Sequence, residues 1–334
     1  MKRIEESRSN GGSESVYKYF GKREIMSPDN TLYAYLVYEK CDLGFETWWA
    51  THRLVVSDYE SKPRVQFFMT GIANAFRFLH EDAKIAHFDF KPNNLMINVD
   101  PTTNQPDWTS TSSLKVIDFG MSTLLSTFQW LQKKTEFPAG GTTGSLEYIA
   151  PELWEQLEQN IESARRSGFR PNHTRISCDA KASDIWSIGI LLYKMITGAH
   201  FEGTTHGPYY IWKSNSDRVF DGVRGLMSDP NYDWTKDHLW QKAKRNPVWA
   251  EATDLVEQML QRDPKMRITI QGVINHPFLQ DNDFADQIVK KQSNTKSSPW
   301  SWFKGNLKFN TTSTTNTPQQ QFADAVESKG ARCD

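Results

Sequence analysis

The stretch from His87 to Gly120 constrains this chain more than any other. It reads HFDFKPNNLMIN, then a run of turn formers, then LKVIDFG. The pieces LMINV and LKVIDF are short and apolar, and residues 98–113 (NVDPTTNQPDWTSTSS) between them are nearly all turn formers. This predicts an extended connection between adjacent strands rather than a helix. Around those strands stand a carboxylate (Asp89), an ammonium (Lys91), an amide (Asn94) and a second carboxylate (Asp118), in that order. A carboxylate can orient a hydroxyl, an ammonium can sit on a transferring phosphoryl group, and amide and carboxylate oxygens suit magnesium. The pattern points to phosphoryl transfer.

The elements that would carry such a loop are also legible. Val65, Phe68, Met69, Ile72, Phe76 and Leu79 recur at three- and four-residue spacing, which predicts a helix over 63–79 with one buried stripe, ending directly before HFDFKPNN. Upstream, MKRIEES has helical propensity, RSNGGSES is loop composition, and SVYKYFGKREI and TLYAYLVYEKC read as two strands around SPDN. Downstream, residues 120–149 hold Pro138 and GGTTG and read as a long mobile loop. APELWEQLEQ (150–159) returns to helix, and a polar stretch precedes an apolar helix at 184–197. ATDLVEQMLQRD (252–263) carries a further stripe of Leu255, Val256, Met259 and Leu260. From about Lys290 the composition turns to Ser, Thr, Asn, Gln and Lys, which predicts a disordered tail with Trp300, Trp302 and Phe303 docking locally.

Composition excludes several classes. A formal net charge of −1 gives no electrostatic case for nucleic acid or an anionic membrane. Cys41, Cys178 and Cys333 are few, odd in number and far apart, which fits a reducing, intracellular and cytoplasmic setting better than a disulfide framework, and they define no metal site. The longest apolar run, Ile185 to Gly198, is shorter than a membrane span and contains Lys194; the first twelve residues lack the apolar core of a secretory signal. A soluble protein is expected.

Taken in this order, the pieces resemble the eukaryotic-type protein kinase family over roughly residues 16–280. HFDFKPNN is similar to the family's HRDLKPxN, with DFG at Asp118, Phe119 and Gly120 and APE at Ala150, Pro151 and Glu152. DIWSIG (184–189) resembles the central helix of the C-lobe, Arg267 sits where the family pairs an arginine with the APE glutamate, and NHPFL (275–279) resembles the closing segment. An H-x-D-x-x-x-x-N loop alone also occurs in small-molecule kinases, which lack the APE and DIWSIG blocks at these positions. The resemblance implies an α+β, bilobal protein-kinase-like fold, with a mainly helical C-lobe and a reduced β-sheet N-lobe. It implies a kinase-like domain over 1–281, with the N-lobe remnant and hinge at 1–41, the C-lobe at 42–281, and a polar tail at 282–334.

The same resemblance implies roles. Asp89 orients the substrate hydroxyl, Lys91 faces the phosphate, and Asn94 and Asp118 hold Mg2+. Ser145, in GSLEYIAPE, stands for the substrate-loop threonine that contacts lysine and aspartate. Tyr38 is the bulky gatekeeper, the backbone groups of Glu39 and Cys41 meet the adenine of ATP, and Met96 is the apolar floor beneath it. Lys91, two positions past Asp89, resembles serine/threonine kinases. His87 and Phe119 are expected in the core, Asp184 and Trp186 brace the loop from below, and Glu152 and Arg267 form a buried ion pair.

Two departures accompany the resemblance. Phe88 stands where many relatives carry the arginine that receives an activation-loop phosphate, so activity independent of phosphate on Thr142 or Thr143 is expected. The family's Gly-rich strand pair and phosphate lysine are expected before Val16, yet no G-x-G-x-x-G stands there; MKRIEES resembles the end of the helix that carries the family's glutamate, and GKRE (21–24) is expected in a strand turn, too late to supply that lysine. An open sheet edge on the Tyr33 to Tyr38 strand follows. Two functions of different class result: a serine/threonine protein kinase acting on protein substrates with ATP and Mg2+, or a pseudokinase or kinase fragment serving as a binding scaffold. A partner completing the N-lobe sheet fits either. Between Glu152 and Asp184 the chain runs roughly twenty residues longer than the family spacing, as a surface loop or a partner-binding insertion.

Overall fold

The helix predicted from the 63–79 stripe is the frame of the molecule. In the computed structural model, which describes residues 1–8, 14–52, 61–125, 130–135, 146–153, 174–199 and 233–280, it spans Ser61–Arg77. All six stripe residues are buried, and each contributes on the order of 1.5–3 kcal/mol by leaving water. The helix gives way to a wider turn at Phe78–Asp82, which Ala83 closes by donating its N–H to the Phe78 carbonyl at 2.9 Å. The chain then enters the short strand Ile85–Ala86 and the HFDF loop.

Behind that loop lies the second apolar helix, Ala180–Thr197, which begins four residues earlier than the sequence suggests. Asp179 is the reason: its carboxylate accepts the N–H groups of Lys181 and Ala182, both at 3.1 Å, and so caps the helix. Gly198, in the left-handed conformation at φ 72°, ends it. The helix is buried on nearly every side, as expected of one that neighbours enclose. His238–Arg245 and Ala250–Met259 pack against it, and Ile270–Ile274 and Pro277–Gln280 close the helical lobe. Leu255, Val256, Met259 and Leu260 are buried as their spacing predicts.

The helical lobe carries small sheets. Leu43–Gly44, Leu95–Ile97 and Leu114–Val116 form an antiparallel three-stranded sheet with Leu95–Ile97 in the middle, so the turn-rich stretch 98–113 does join adjacent strands. That stretch is not simply polar surface. Trp108 is buried among Trp48, Phe67 and Phe68, and Trp48 Nε1 donates to the Asn104 carbonyl at 3.1 Å.

The second lobe, as described, consists of the helix Lys2–Arg8 and an antiparallel pair, β1 (Tyr19–Met26) and β2 (Leu32–Tyr38). The lobes are stitched together where Val16 pairs with Val116. Val116 N donates to the Ser15 carbonyl at 2.7 Å, and Tyr17 N donates to the Val116 carbonyl at 3.2 Å. Ile4 is fully buried, and Arg3 and Ser7 donate to carbonyls of Ala83 and Asp82. Together these elements make the α+β, bilobal fold.

Three expectations need correction. GKRE is not in a turn: Gly21 to Glu24 run through β1, and the turn is at Ser27–Asn30, closed by Thr31 and Asn30 bonding back to Ser27. Within the expected loop after Gly120, Thr123–Leu124 pairs with Ile85–Ala86. Trp130–Thr135 forms a six-residue antiparallel ladder with Thr174–Asp179, inside the expected polar stretch. The partners are separated by about forty residues of chain, so no local pattern announces them. Of the helix expected at 150–159, residues 151–153 are helical and the remainder lies outside the described residues. The boundary at 281/282, the tail with its Trp300, Trp302 and Phe303, and most of the stretch between Glu152 and Asp184 also lie outside them.

Candidate active site

The catalytic-loop candidates gather by hydrogen bonds. Lys91 Nζ lies 3.2 and 3.0 Å from the two carboxylate oxygens of Asp89. Asn94 Nδ2 donates to the Asp89 carbonyl at 2.7 Å and to Asp89 Oδ2 at 3.3 Å. With its amide hydrogens thus engaged, Asn94 presents its oxygen as an acceptor. Its carbonyl accepts the Ile117 N–H at 3.0 Å, which sets Asn94 beside the residue preceding Asp118. Asp118 itself is exposed, at φ 59°, and its Oδ1 accepts the Gly120 N–H at 3.1 Å. Ser145 lies outside the described residues, as do Thr142 and Thr143.

Asp184 holds the loop from below. Its Oδ2 accepts the His87 N–H and faces His80 Nε2, both at 2.8 Å, and its Oδ1 accepts the Phe88 N–H at 2.8 Å. Asp184, His80 and His87 are all fully buried. Phe88 sits at φ 65°, a conformation that costs an ordinary residue about 1–2 kcal/mol and survives only where the surroundings enforce it. The Asp184 carboxylate bridges that strained residue and the one before it, so the brace expected from the sequence is present in the hydrogen bonds. His87 is a core residue whose Nε2 meets the Ile117 carbonyl at 3.0 Å, and Phe119 packs 5.1 Å from its ring.

Glu152 and Arg267 meet as expected, in a two-bond fork of 2.8 and 3.0 Å. The remaining guanidinium N–H groups reach the carbonyls of Ala182, Gln261 and Arg262, so the arginine side chain, 0% exposed, is fully engaged. Trp186 packs beneath it, its ring 5.1 Å from the guanidinium carbon.

The adenine-side candidates fall on the middle strand of the three-stranded sheet and on the segment that leaves β2. Met96 sits between Gly44 and Lys115 in register. Tyr38 ends β2, and Cys41 is half-buried nearby, its thiol pushed up to about 11 by burial and then by the Glu39 carboxylate. The Glu39 N–H is spent on the Lys18 carbonyl at 2.9 Å, which leaves its carbonyl as the backbone group available to a ligand.

Sequence reasoning missed two residues here. Lys115, 4% exposed, reaches Glu39 Oε1 at 3.3 Å and the Glu14 carbonyl at 2.6 Å, tying the hinge to the central sheet. A lysine inside the apolar run LKVI was its signal. Tyr17 was the second, and its aromatic neighbours could not be read from its place in the chain.

A family model for the protein kinase domain matches residues 22–279. The chain belongs to the protein kinase domain family. Among curated relatives, this kinase domain is 28% identical over 221 residues to CDPK-related kinase 5 of Arabidopsis thaliana, covering 65% of this chain and 27% of that protein. It is 29% identical over 281 residues to serine/threonine-protein kinase kin-29 of Caenorhabditis briggsae, covering 83% and 26%. With MAP kinase-activated protein kinase 5 of Homo sapiens the identity is 24% over 238 residues, covering 71% and 43%. The chain therefore spans a quarter to about half the length of the curated relatives it matches. Among the described residues no helix is long and apolar enough to cross a membrane.

Proposed function

We propose that this kinase domain transfers the γ-phosphoryl group of ATP to serine or threonine hydroxyls of proteins. The observation that carries the reading is the Asp89, Lys91 and Asn94 cluster, fixed by the hydrogen bonds above and joined through Ile117 to Asp118. Asp89 orients the attacking hydroxyl and receives its proton. Lys91, a compact ammonium with three donors, is within reach of that carboxylate and neutralises the charge beside it. The name of the kin-29 relative, a serine/threonine-protein kinase, supports the serine/threonine class.

The donor chemistry fits a magnesium ion. Asn94 and Asp118 offer hard oxygens, and among the described residues no cluster of three or more His, Cys, Asp and Glu competes as a metal cage. Magnesium is commonly held by one or two protein oxygens, with substrate phosphates and waters filling the rest. When bound, it would be held by Asn94 and Asp118 and would offset the charge of the substrate phosphates. On the adenine side, the Glu39 carbonyl and the backbone of Cys41 face the base, Met96 lies beneath it and Tyr38 is the gatekeeper; Ser145 takes the role of the family's substrate-loop threonine.

The N-lobe reading extends to a partner. β2 has no second neighbour among the described residues, and Tyr33, Tyr35, Leu36 and Val37 on it are exposed. That surface supports a further strand layer, from a partner protein, covering the pair.

The test is transfer from labelled MgATP to a basic protein by the purified 334-residue chain. Replacing Asp89→Asn is expected to lower transfer by at least about 100-fold. Transfer that survives the substitution, or magnesium-independent nucleotide binding by the parent chain, would sink the reading and leave a scaffold.

A further inference from the structure

Lys115 is a buried cation to which no motif above assigns a role, and it stands beside the segment proposed to meet the nucleotide base. It lies on the strand Leu114–Val116 and is 4% exposed, so its ammonium has left water and must be held by partners. Two are the Glu14 carbonyl at 2.6 Å and Glu39 Oε1 at 3.3 Å. Lys115 is also the register partner of Met96, and residues paired in this way project from the same face of a sheet. One face of the three-stranded sheet thus carries the residue proposed beneath the base and, next to it, the cation that reaches the hinge.

The hinge crossing, residues 39–42, is held differently at its two ends. At the exit, Asp42 Oδ2 accepts the Val99 N–H at 3.1 Å and Leu43 pairs with Ile97, so the chain is fixed to the central sheet there. At the entrance, Glu39 closes a ring with Lys18: Glu39 N donates to the Lys18 carbonyl at 2.9 Å, and Lys18 N donates to Glu39 Oε1 at 2.8 Å. Both members of that ring adjoin the β1–β2 pair, Lys18 just before β1 and Glu39 just after β2. The ring's tie to the central sheet is the Lys115 ammonium, which shares Glu39 Oε1 with Lys18 N. We propose that Lys115 is a positioning residue: by holding the Glu39 carboxylate to the central sheet, it sets the Glu39 carbonyl where it can meet the base above Met96. The part concerning the base rests on the kinase reading above; the part concerning the hinge does not. A buried ammonium on a carboxylate suits the task, because loss of either partner leaves the other charge uncompensated.

Lys115→Met keeps most of the side-chain length and removes the charge. Titration calorimetry of the full chain with adenosine, and separately with magnesium tripolyphosphate, divides the base side of the site from the phosphate side. The variant is expected to bind adenosine about tenfold more weakly, as befits one lost charge-assisted hydrogen bond, and tripolyphosphate within about twofold of the parent. Equal losses for both ligands would reduce Lys115 to a support of the fold and overturn the proposal, as would undiminished adenosine binding. Glu39→Gln keeps an acceptor for the Lys18 N–H and loses the charge that Lys115 faces, so it decides the matter should Lys115→Met not fold. Its adenosine binding is expected to weaken by about threefold to tenfold, and unchanged binding would overturn the route through Glu39. A parent chain that binds no adenosine would count against the kinase reading. Amide exchange, read by NMR on the labelled full chain, then decides the hinge part: in either variant Lys18 and Glu39 are expected to exchange about tenfold faster while Tyr17 and Val116 keep parent rates. Unchanged exchange, or equal quickening at all four positions, would overturn it.

Discussion

Asp184→Asn keeps the shape of the side chain and changes one atom from acceptor to donor. In the parent, Oδ2 meets two donors, His87 N and His80 Nε2, and Oδ1 meets one, Phe88 N, all at 2.8 Å, and the carboxylate itself is fully buried. His80 Nδ1 has no partner among the described residues, so the tautomer that carries its hydrogen on Nε2 leaves a bare lone pair rather than a stranded N–H. With asparagine, two orientations exist. If the amide NH2 takes the Oδ1 position, it confronts Phe88 N–H. If it takes the Oδ2 position, His80 can change tautomer and accept, but His87 N–H is confronted instead. Either way one buried backbone donor is stranded, at about 1–3 kcal/mol, and the surviving bonds lose their charge assistance, at about 0.5–1.5 kcal/mol each. The sum is about 2–6 kcal/mol, a large share of the 5–15 kcal/mol typical of a domain. Equilibrium urea unfolding of the parent and the variant measures it. The expected result is an unchanged slope, a lower midpoint and faster amide exchange at His87 and Phe88. A loss below about 1 kcal/mol with parent-like exchange would refute the claim that this carboxylate enforces the loop.

Two further predictions concern reactivity and regulation. A thiol moved from 9.0 to about 11 carries about one hundredth of the usual thiolate at pH 8. Iodoacetamide should therefore label Cys41 about 100-fold more slowly than a free thiol, and peptide mapping that finds equal rates would refute this. The sign also fixes a stability trend: the folded state holds the Cys41 proton more tightly, so this contribution is complete below the unfolded thiol pKa and fades as pH rises toward 11. Replacing Thr142 and Thr143 together by alanine should leave phosphate transfer within about twofold, because Phe88 offers no cation to a loop phosphate. Abolished transfer in that double variant would show a different receiver.

Much of the frame was legible because its causes are local. The stripe from Val65 to Leu79 is a period, and a period forces one face of a helix inward whatever lies opposite. The turn formers from Asn98 to Ser113 could do little but connect neighbouring strands. The order of Asp89, Lys91, Asn94 and Asp118 was plain in the chain, and the hydrogen bonds gather the first three. What escaped were pairings whose cause lies elsewhere in the chain. Trp130–Thr135 meets Thr174–Asp179 only in three dimensions. Trp108 looked like an apolar stray in a polar loop until Trp48 and Phe67 enclosed it. Lys115 and Tyr17 sit in ordinary strand sequence, and their partners come from two other places, Tyr38 and Glu39 at the end of β2 and Phe119 past Asp118.

The distance along the chain between the HFDF loop and its brace has a consequence for synthesis. Phe88 and Asp184 are 96 residues apart, and Glu152 and Arg267 are 115 apart. At the usual 5–20 residues per second, a ribosome needs about 5–20 s after making Phe88 before Asp184 exists at all. During that interval the segment bearing Asp89 has left the tunnel with its strained turn unsupported. The nascent chain can therefore form the helix behind the loop early, yet it cannot set the loop until the next hundred residues have followed. Translation pauses downstream of Phe88 would lengthen the time the loop waits, and a chain released before Asp184 would carry every catalytic candidate up to Asp118 and lack the group that arranges them.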